Sequence, residues 1–124
     1  MIRRLTSEEY EALVRQKRAA AIHFDAEWDT EYRPIVHSKM REATDALVGH
    51  ANFGEVDCDH NSELARSIRI LNVPAVAYYL NGSLVAVLVG VRQNVHERLE
   101  RLLRTETTGY EDGLNSDASD PNSR

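Results

Sequence analysis

The feature that most restricts the fold of this chain is a strict alternation of strand and helix patterns that ends in a hairpin. Residues 19–24 are apolar except for His23, which is typical of a central strand buried on both faces. From about Thr30 to Val48, apolar side chains recur at intervals of three and four, which predicts a helix. Asn81-Gly82 separates two later apolar runs and is the strongest short signal for a hairpin.

Weaker patterns complete the order of elements. Residues 2–5 suit a short first strand, and Thr6 with Glu9 forms a capping box at the start of a helix. Residues 53–58 suit a third strand, Asn61 is a candidate cap for a short helix, and residues 95–103 form an amphipathic last helix. The predicted order is β-α-β-α-β-α-β-β-α. It indicates an α/β fold in which a central mixed sheet is flanked by helices on both faces.

The length of 124 residues suits one domain, with residues 1–104 as the folded part. Residues 105–124 are rich in small polar side chains and carry five of the 20 acidic residues but one of the 15 basic residues. Such a segment is too polar to pack, so we predict a flexible acidic tail. The rest of the chain is almost neutral.

Charge and hydropathy exclude several functional classes. No basic face of the kind that phosphate backbones require is evident, so nucleic acid is not expected as a partner. No apolar run approaches the roughly 18–20 residues that a membrane span needs. The first residues carry two arginines without a following apolar segment, unlike a secretion signal, so we expect a cytoplasmic protein. The oligomeric state cannot be inferred from these patterns.

Cysteine and histidine usage predicts neither a disulfide nor a metal site. Cys58 is the one cysteine, and we expect an inert buried thiol. His37 lies one residue from the apolar stripe of its helix and is expected at the surface or at the boundary of the core. His23, His37, Asp25 and Asp29 could be imagined as ligands, yet they lack a spacing typical of zinc. We therefore expect no metal and no cofactor.

Five short motifs, in the same order as the elements, resemble the thioredoxin family over about residues 2–104. They are F-x-A-x-W at residues 24–28, V-D-x-D-x-N at 56–61, I-x-x-V-P at 70–74, the Asn81-Gly82 turn and Gly90 after the last strand. The resemblance implies a thioredoxin fold with a cis bond between Val73 and Pro74.

The chain departs from this family where the redox chemistry would lie. The family pattern W-C-x-x-C-[KR] reads Trp28-Asp29-Thr30-Glu31-Tyr32-Arg33 in this sequence. Disulfide exchange needs a thiolate that attacks and a second thiol that resolves the mixed disulfide. Neither Asp29 nor Tyr32 supplies one. We therefore predict no catalytic residues, and a protein that is not a dithiol oxidoreductase.

The resemblance implies that a substrate groove is kept, framed by Trp28, Asp29, Tyr32, Val73 and Pro74. Such a groove would hold the extended backbone of another protein or peptide through main-chain hydrogen bonds, which favours a binding or scaffolding module. One alternative is an enzyme of non-thiol chemistry at the helix N-terminus formed by residues 29–32, where the dipole makes a carboxylate a poor base. Others are a redox role through Cys58 and a degenerate groove.

A second departure concerns a buried pair in the core. Where the family has an acid on the central strand and a lysine on the next, this chain has His23 and Glu55. The resemblance implies that the two side chains meet with their charges exchanged. In the alternative, a one-residue slip of register turns Glu55 to solvent, and His23 binds a backbone carbonyl.

Overall fold

The computed structural model of the protein describes residues 2–108, and within them the strands form one mixed five-stranded sheet in the order β1-β3-β2-β4-β5. Strand β2 is central, parallel to β3 and antiparallel to β4. The α/β class and the thioredoxin fold are confirmed. The element bounds are β1 Arg3–Arg4, α1 Ser7–Val14, β2 Ala19–Asp25, α2 Arg33–Ala46, β3 Ala51–Asp57, α3 Ser62–Ser67, β4 Ala75–Leu80, β5 Ser83–Val89 and α4 Val95–Thr108.

Two layers of core lie on the opposite faces of the sheet. On one face, Ala19 and Ala21 of β2 pack with α2 and α4. On the other face, Ala20, Ile22 and Phe24 pack with α1. Because side chains alternate along a strand, His23 and Asp25 share the face covered by α2. This alternation determines which side chains of β2 can meet side chains of α2.

Of the two predicted helix caps, one is confirmed and the other is wrong. The Thr6 hydroxyl accepts the Glu9 N–H, and the Glu9 carboxylate accepts the Thr6 N–H, which confirms the capping box. Asn61 occupies the N-cap position of α3, but its side chain does not cap the helix, so that prediction is wrong. The Asn61 amide instead donates to the Asp57 carbonyl at 2.9 Å, and its oxygen accepts the Ser7 hydroxyl at 3.0 Å.

Helix α2 begins at Arg33, three residues later than predicted. The delay has a local cause, because the Asp29 carboxylate accepts the Tyr32 N–H at 3.0 Å and holds the segment before the helix in a turn. Pro34 then lies in the first helical turn, where the absence of its N–H has no cost. Gly49, with a φ of 81°, follows the end of the helix.

Helix α4 extends past the boundary predicted at residue 104 and continues to Thr108. No helix-breaking residue occurs before Gly109, and the Thr105 hydroxyl donates back to the Arg101 carbonyl at 3.0 Å. The first residues of the predicted tail are therefore helical. The remainder, residues 109–124, lies outside the described residues. Among the helices that are described, none has the length and apolar character to cross a membrane.

Candidate functional site

The segment that replaces the redox motif lies between β2 and α2. Trp28 is exposed over 69% of its surface, whereas Asp29 is buried, with only 6% of its surface exposed. One Asp29 oxygen accepts the Tyr32 N–H, and the other is buried without a hydrogen-bond partner among the described residues. Asp29 thus holds the backbone of the turn and is turned away from solvent.

A cleft of about 250 Å³ lies beside Trp28. Among the five predicted groove residues, Trp28 and Val73 line it, whereas Asp29, Tyr32 and Pro74 do not. The lining also includes side chains that were not predicted for the groove, namely Ala26, Cys58, Asp59, Ile70, Leu71 and Asn72. The cleft therefore lies on the side of the 70–73 loop and does not reach the N-terminus of α2.

The loop opposite Trp28 presents both apolar surface and free main-chain groups. Leu71 is 84% exposed, and the Val73–Pro74 peptide bond is cis. The Pro74 carbonyl accepts the Gly90 N–H at 2.8 Å, but the Val73 N–H and carbonyl make no hydrogen bond to another described residue. Val73 therefore keeps one donor and one acceptor available beside the cleft.

Cys58 also lines this cleft and is half-buried, less enclosed than predicted. Burial raises the pKa of the Cys58 thiol to about 11, and the nearby carboxylates of Asp25, Asp57 and Asp59 add to the effect. A thiol in such surroundings is almost wholly protonated near neutral pH, and the thiolate is the reactive form. This geometry does not favour Cys58 as a nucleophile.

Beneath the turn, the structure brings His23 and Glu55 together. The two residues are direct neighbours in the register of β2 and β3, and the Nδ1 atom of His23 lies 3.0 Å from the Oε2 atom of Glu55. Both side chains are buried. His37 reaches the same carboxylate oxygen from α2 at 2.5 Å, while 40% of its side chain stays exposed. The predicted surface or boundary position of His37 fits this partial exposure, but its contact with Glu55 was not predicted.

The electrostatics of the two buried acids differ. Burial raises the pKa of Glu55, but hydrogen bonds and charge from His23 and His37 outweigh it and hold the pKa below its ordinary value. Burial also raises the pKa of Asp25, and the attraction of His23 and Arg4 does not offset it. Asp25 is nevertheless bound on both sides, by Arg4 at 3.3 Å and by Arg33 at 3.1 Å.

One ligand atom from each of His23, His37 and Glu55 lies within 4.8 Å of the others. The three residues come from β2, α2 and β3, so no short sequence spacing could reveal the cluster. The four ligands considered from the sequence included both histidines, but with Asp25 and Asp29 in the place of Glu55. A cleft of about 390 Å³, lined by Ile2, His37, Arg41, Thr44 and Asp45, opens beside His37.

Solved structures resemble this one in fold. A thioredoxin variant from Halobacterium salinarum aligns with a TM-score of 0.71 and 18% identity, over 82% of this chain and 89% of that one. Mitochondrial thioredoxin 3 from Saccharomyces cerevisiae gives a TM-score of 0.69 and 20% identity, over 83% and 93%. Plasmodium falciparum thioredoxin gives 0.68 and 24%, over 84% and 98%. At these identities the likeness shows the fold alone.

Sequence comparison adds the family. Endoplasmic reticulum resident protein 44 from mouse is 27% identical over 87 residues, and its human counterpart is 26% identical over the same length. Those residues are 65% of this chain but 21% of the relatives, so the chain spans about a fifth of their length. The family model described as Thioredoxin matches residues 1–104. The chain therefore belongs to the thioredoxin family, and with Cys58 as its single cysteine it has no Cys-x-x-Cys pair.

Proposed function

We propose that this protein is a redox-inactive member of its family that binds an extended segment of another protein in the cleft beside Trp28. The observation that carries the proposal is the pairing of exposed apolar side chains, Trp28 and Leu71, with the unused main-chain N–H and carbonyl of Val73. An extended segment can satisfy these two groups as an added strand would, while one of its side chains enters the cleft.

The lining of the cleft indicates what kind of segment it would prefer. Ile70, Leu71 and Val73 provide apolar surface, and the carboxylate of Asp59 lies at the same cleft. An apolar side chain gains about 25 cal/mol for each Å² that it buries, and a basic neighbour would meet Asp59. We therefore propose an extended segment that carries an apolar residue next to lysine or arginine.

The alternatives find less support. For an enzyme of non-thiol chemistry at residues 29–32, Asp29 is a poor candidate for the acid or base, because it is buried and its carboxylate holds the turn. A redox role through Cys58 would need a thiolate near neutral pH, which the raised pKa of this thiol opposes. Binding of a segment in the cleft requires neither a catalytic acid or base nor a thiolate.

Trp28 is the one tryptophan of the chain, so its fluorescence reports directly on the cleft. Peptides selected from a random library against the full chain should shift this emission saturably. Substitution Leu71→Ser should weaken their binding about tenfold or more, because Leu71 lines the cleft and is exposed enough to be replaced without unfolding. Val85→Ser is the matched control, since Val85 is an exposed apolar side chain on β5 that does not line the cleft.

Two results would contradict the proposal. Binding of the selected peptides without any change in Trp28 emission would place their site elsewhere. Equal affinities for the Leu71 and Val85 variants would show that contact is general adhesion to apolar surface and not recognition by the cleft.

A further inference from the structure

We propose that His23, His37 and Glu55 form a binding site for a divalent transition-metal ion of the Zn²⁺ type. Two imidazoles and one carboxylate are a ligand set that such ions take in proteins. The three residues converge from β2, α2 and β3, with one ligand atom from each inside 4.8 Å of the others. The proposal goes beyond peptide binding, because the cluster lies apart from the residues that line the Trp28 cleft.

The distances are close to those that an ion would impose. Zinc binds histidine nitrogen and carboxylate oxygen at about 2.0–2.2 Å, which places neighbouring ligand atoms roughly 3–4 Å apart. The contacts of Glu55 Oε2 are 3.0 Å to His23 and 2.5 Å to His37. Both contacts are hydrogen-bond lengths, so each Nδ1 atom gives up its proton when an ion enters: a charged imidazole releases one proton to solvent, and a neutral imidazole carries its proton on Nε2 instead. The shorter contact would have to open by several tenths of an ångström.

The charges around the cluster favour a cation. Three carboxylates, those of Asp25, Glu55 and Asp57, gather around the Arg4 guanidinium, and Arg33 binds Asp25 as a second cation. With both imidazoles neutral, this group carries one negative charge in excess.

An ion could reach the cluster from solvent. The side chain of His37 is 40% exposed and forms part of the wall of the 390 Å³ cleft. Arg41 and Asp45 line the same cleft with opposite charges, so its entrance does not repel a cation strongly. Three protein ligands would leave a further position for water, which this cleft can supply.

The test is titration of the full, untagged chain with CoCl₂ and ZnCl₂. Cobalt should give a visible absorption spectrum of nitrogen and oxygen ligation, and zinc should displace it with one equivalent. Substitution His37→Ala should lower the affinity at least tenfold, because it removes one of three ligands while the partly exposed position tolerates alanine. His60→Ala is the matched control, since His60 also pairs with a carboxylate, that of Asp57, at 3.0 Å.

A second variant protects the test against misfolding. His23 is fully buried, so its replacement could unfold the chain, whereas Glu55→Gln keeps the shape of the side chain and should still cost at least tenfold in affinity. Circular dichroism establishes that each variant is folded. The proposal is overturned by absence of saturable binding, by equal affinities for the His37 and His60 variants, or by a thiolate charge-transfer band that places the ion on Cys58.

Discussion

The carboxylate of Glu55 shows how a single buried acid is accommodated in this core. It accepts hydrogen bonds from two imidazoles through one oxygen, while the Arg4 guanidinium lies 4.0 Å from the other. Burial of a charge is costly unless partners and hydrogen bonds replace the lost water. These partners explain why the pKa of Glu55 is lowered although burial alone would raise it.

Cys58 offers a direct test of the local electrostatics. With a thiol pKa of about 11 against an ordinary value of 9.0, alkylation at pH 8 should be about a hundredfold slower than for a small thiol. The rate should rise with pH and reach half of its maximum near pH 11. Substitution Asp59→Asn should increase the rate at pH 8, because the Asp59 charge contributes to the raised pKa. A half-maximal rate near pH 9 in the wild type would contradict this assignment.

At the scale of elements, α1 and α2 are positioned by different local interactions. A capping box starts α1, whereas the Asp29 turn sets the start of α2 at Arg33. The start of α2 in turn decides where its first turns lie against the sheet, and His37 is on the second turn. The contact between His37 and Glu55 therefore depends on the same residue that replaces the first redox cysteine.

The capping box of α1 should contribute measurably to stability. Substitution Thr6→Ala removes the acceptor for the Glu9 N–H and should lower the free energy of unfolding by about 1 kcal/mol. Glu9→Gln is the control, because glutamine can still accept the Thr6 N–H and loses only the exposed ion pair with Arg3. Urea denaturation measures both. A loss for Thr6→Ala no larger than that for Glu9→Gln would mean that the Thr6 hydroxyl does not stabilise the helix measurably.

The buried face of α2 should contribute much more to the free energy of unfolding than the capping box does. Met40 is fully buried between α2 and the sheet, so Met40→Ala should cost about 2–5 kcal/mol of unfolding free energy through lost burial and a cavity. The exposed Glu42 on the same helix is the control, and Glu42→Ala should stay within about 0.5 kcal/mol. A loss below about 1 kcal/mol for Met40→Ala would indicate that the core refills the space.

For the whole molecule, the sequence predicts the architecture better than the site. Periodicity and turn chemistry are local, so they indicate the element order, and the motif order indicates the family. The site depends on packing between distant segments, since His37 and His23 lie 18 and 32 residues from Glu55. The His23 and Glu55 contact could be anticipated because it follows from strand register, but the approach of His37 depends on how α2 packs. The burial of Asp29 was missed for the same reason.

The predicted absence of disulfide exchange can be tested directly on this fold. The wild-type chain should not accelerate reduction of insulin by dithiothreitol, because exchange needs two thiols and Cys58 is alone. Replacing Asp29 and Tyr32 together with cysteine should produce measurable but low turnover, since position 29 is buried and α2 begins only at Arg33. Wild-type turnover above the buffer control that disappears in Cys58→Ser would refute this reading.

The central place of β2 has a consequence for the exchange of backbone hydrogens. Its amides are enclosed by neighbouring strands at both edges and by packed side chains on both faces, whereas β5 lies at the margin of the sheet. Release of the β2 amides to deuterium therefore requires the whole molecule to open, and their exchange rates should report the global free energy of unfolding. Those β5 amides that face away from β4 should exchange through local fluctuations, and orders of magnitude faster. A single hydrogen-exchange experiment would therefore distinguish amides that exchange only on global unfolding from those that exchange locally.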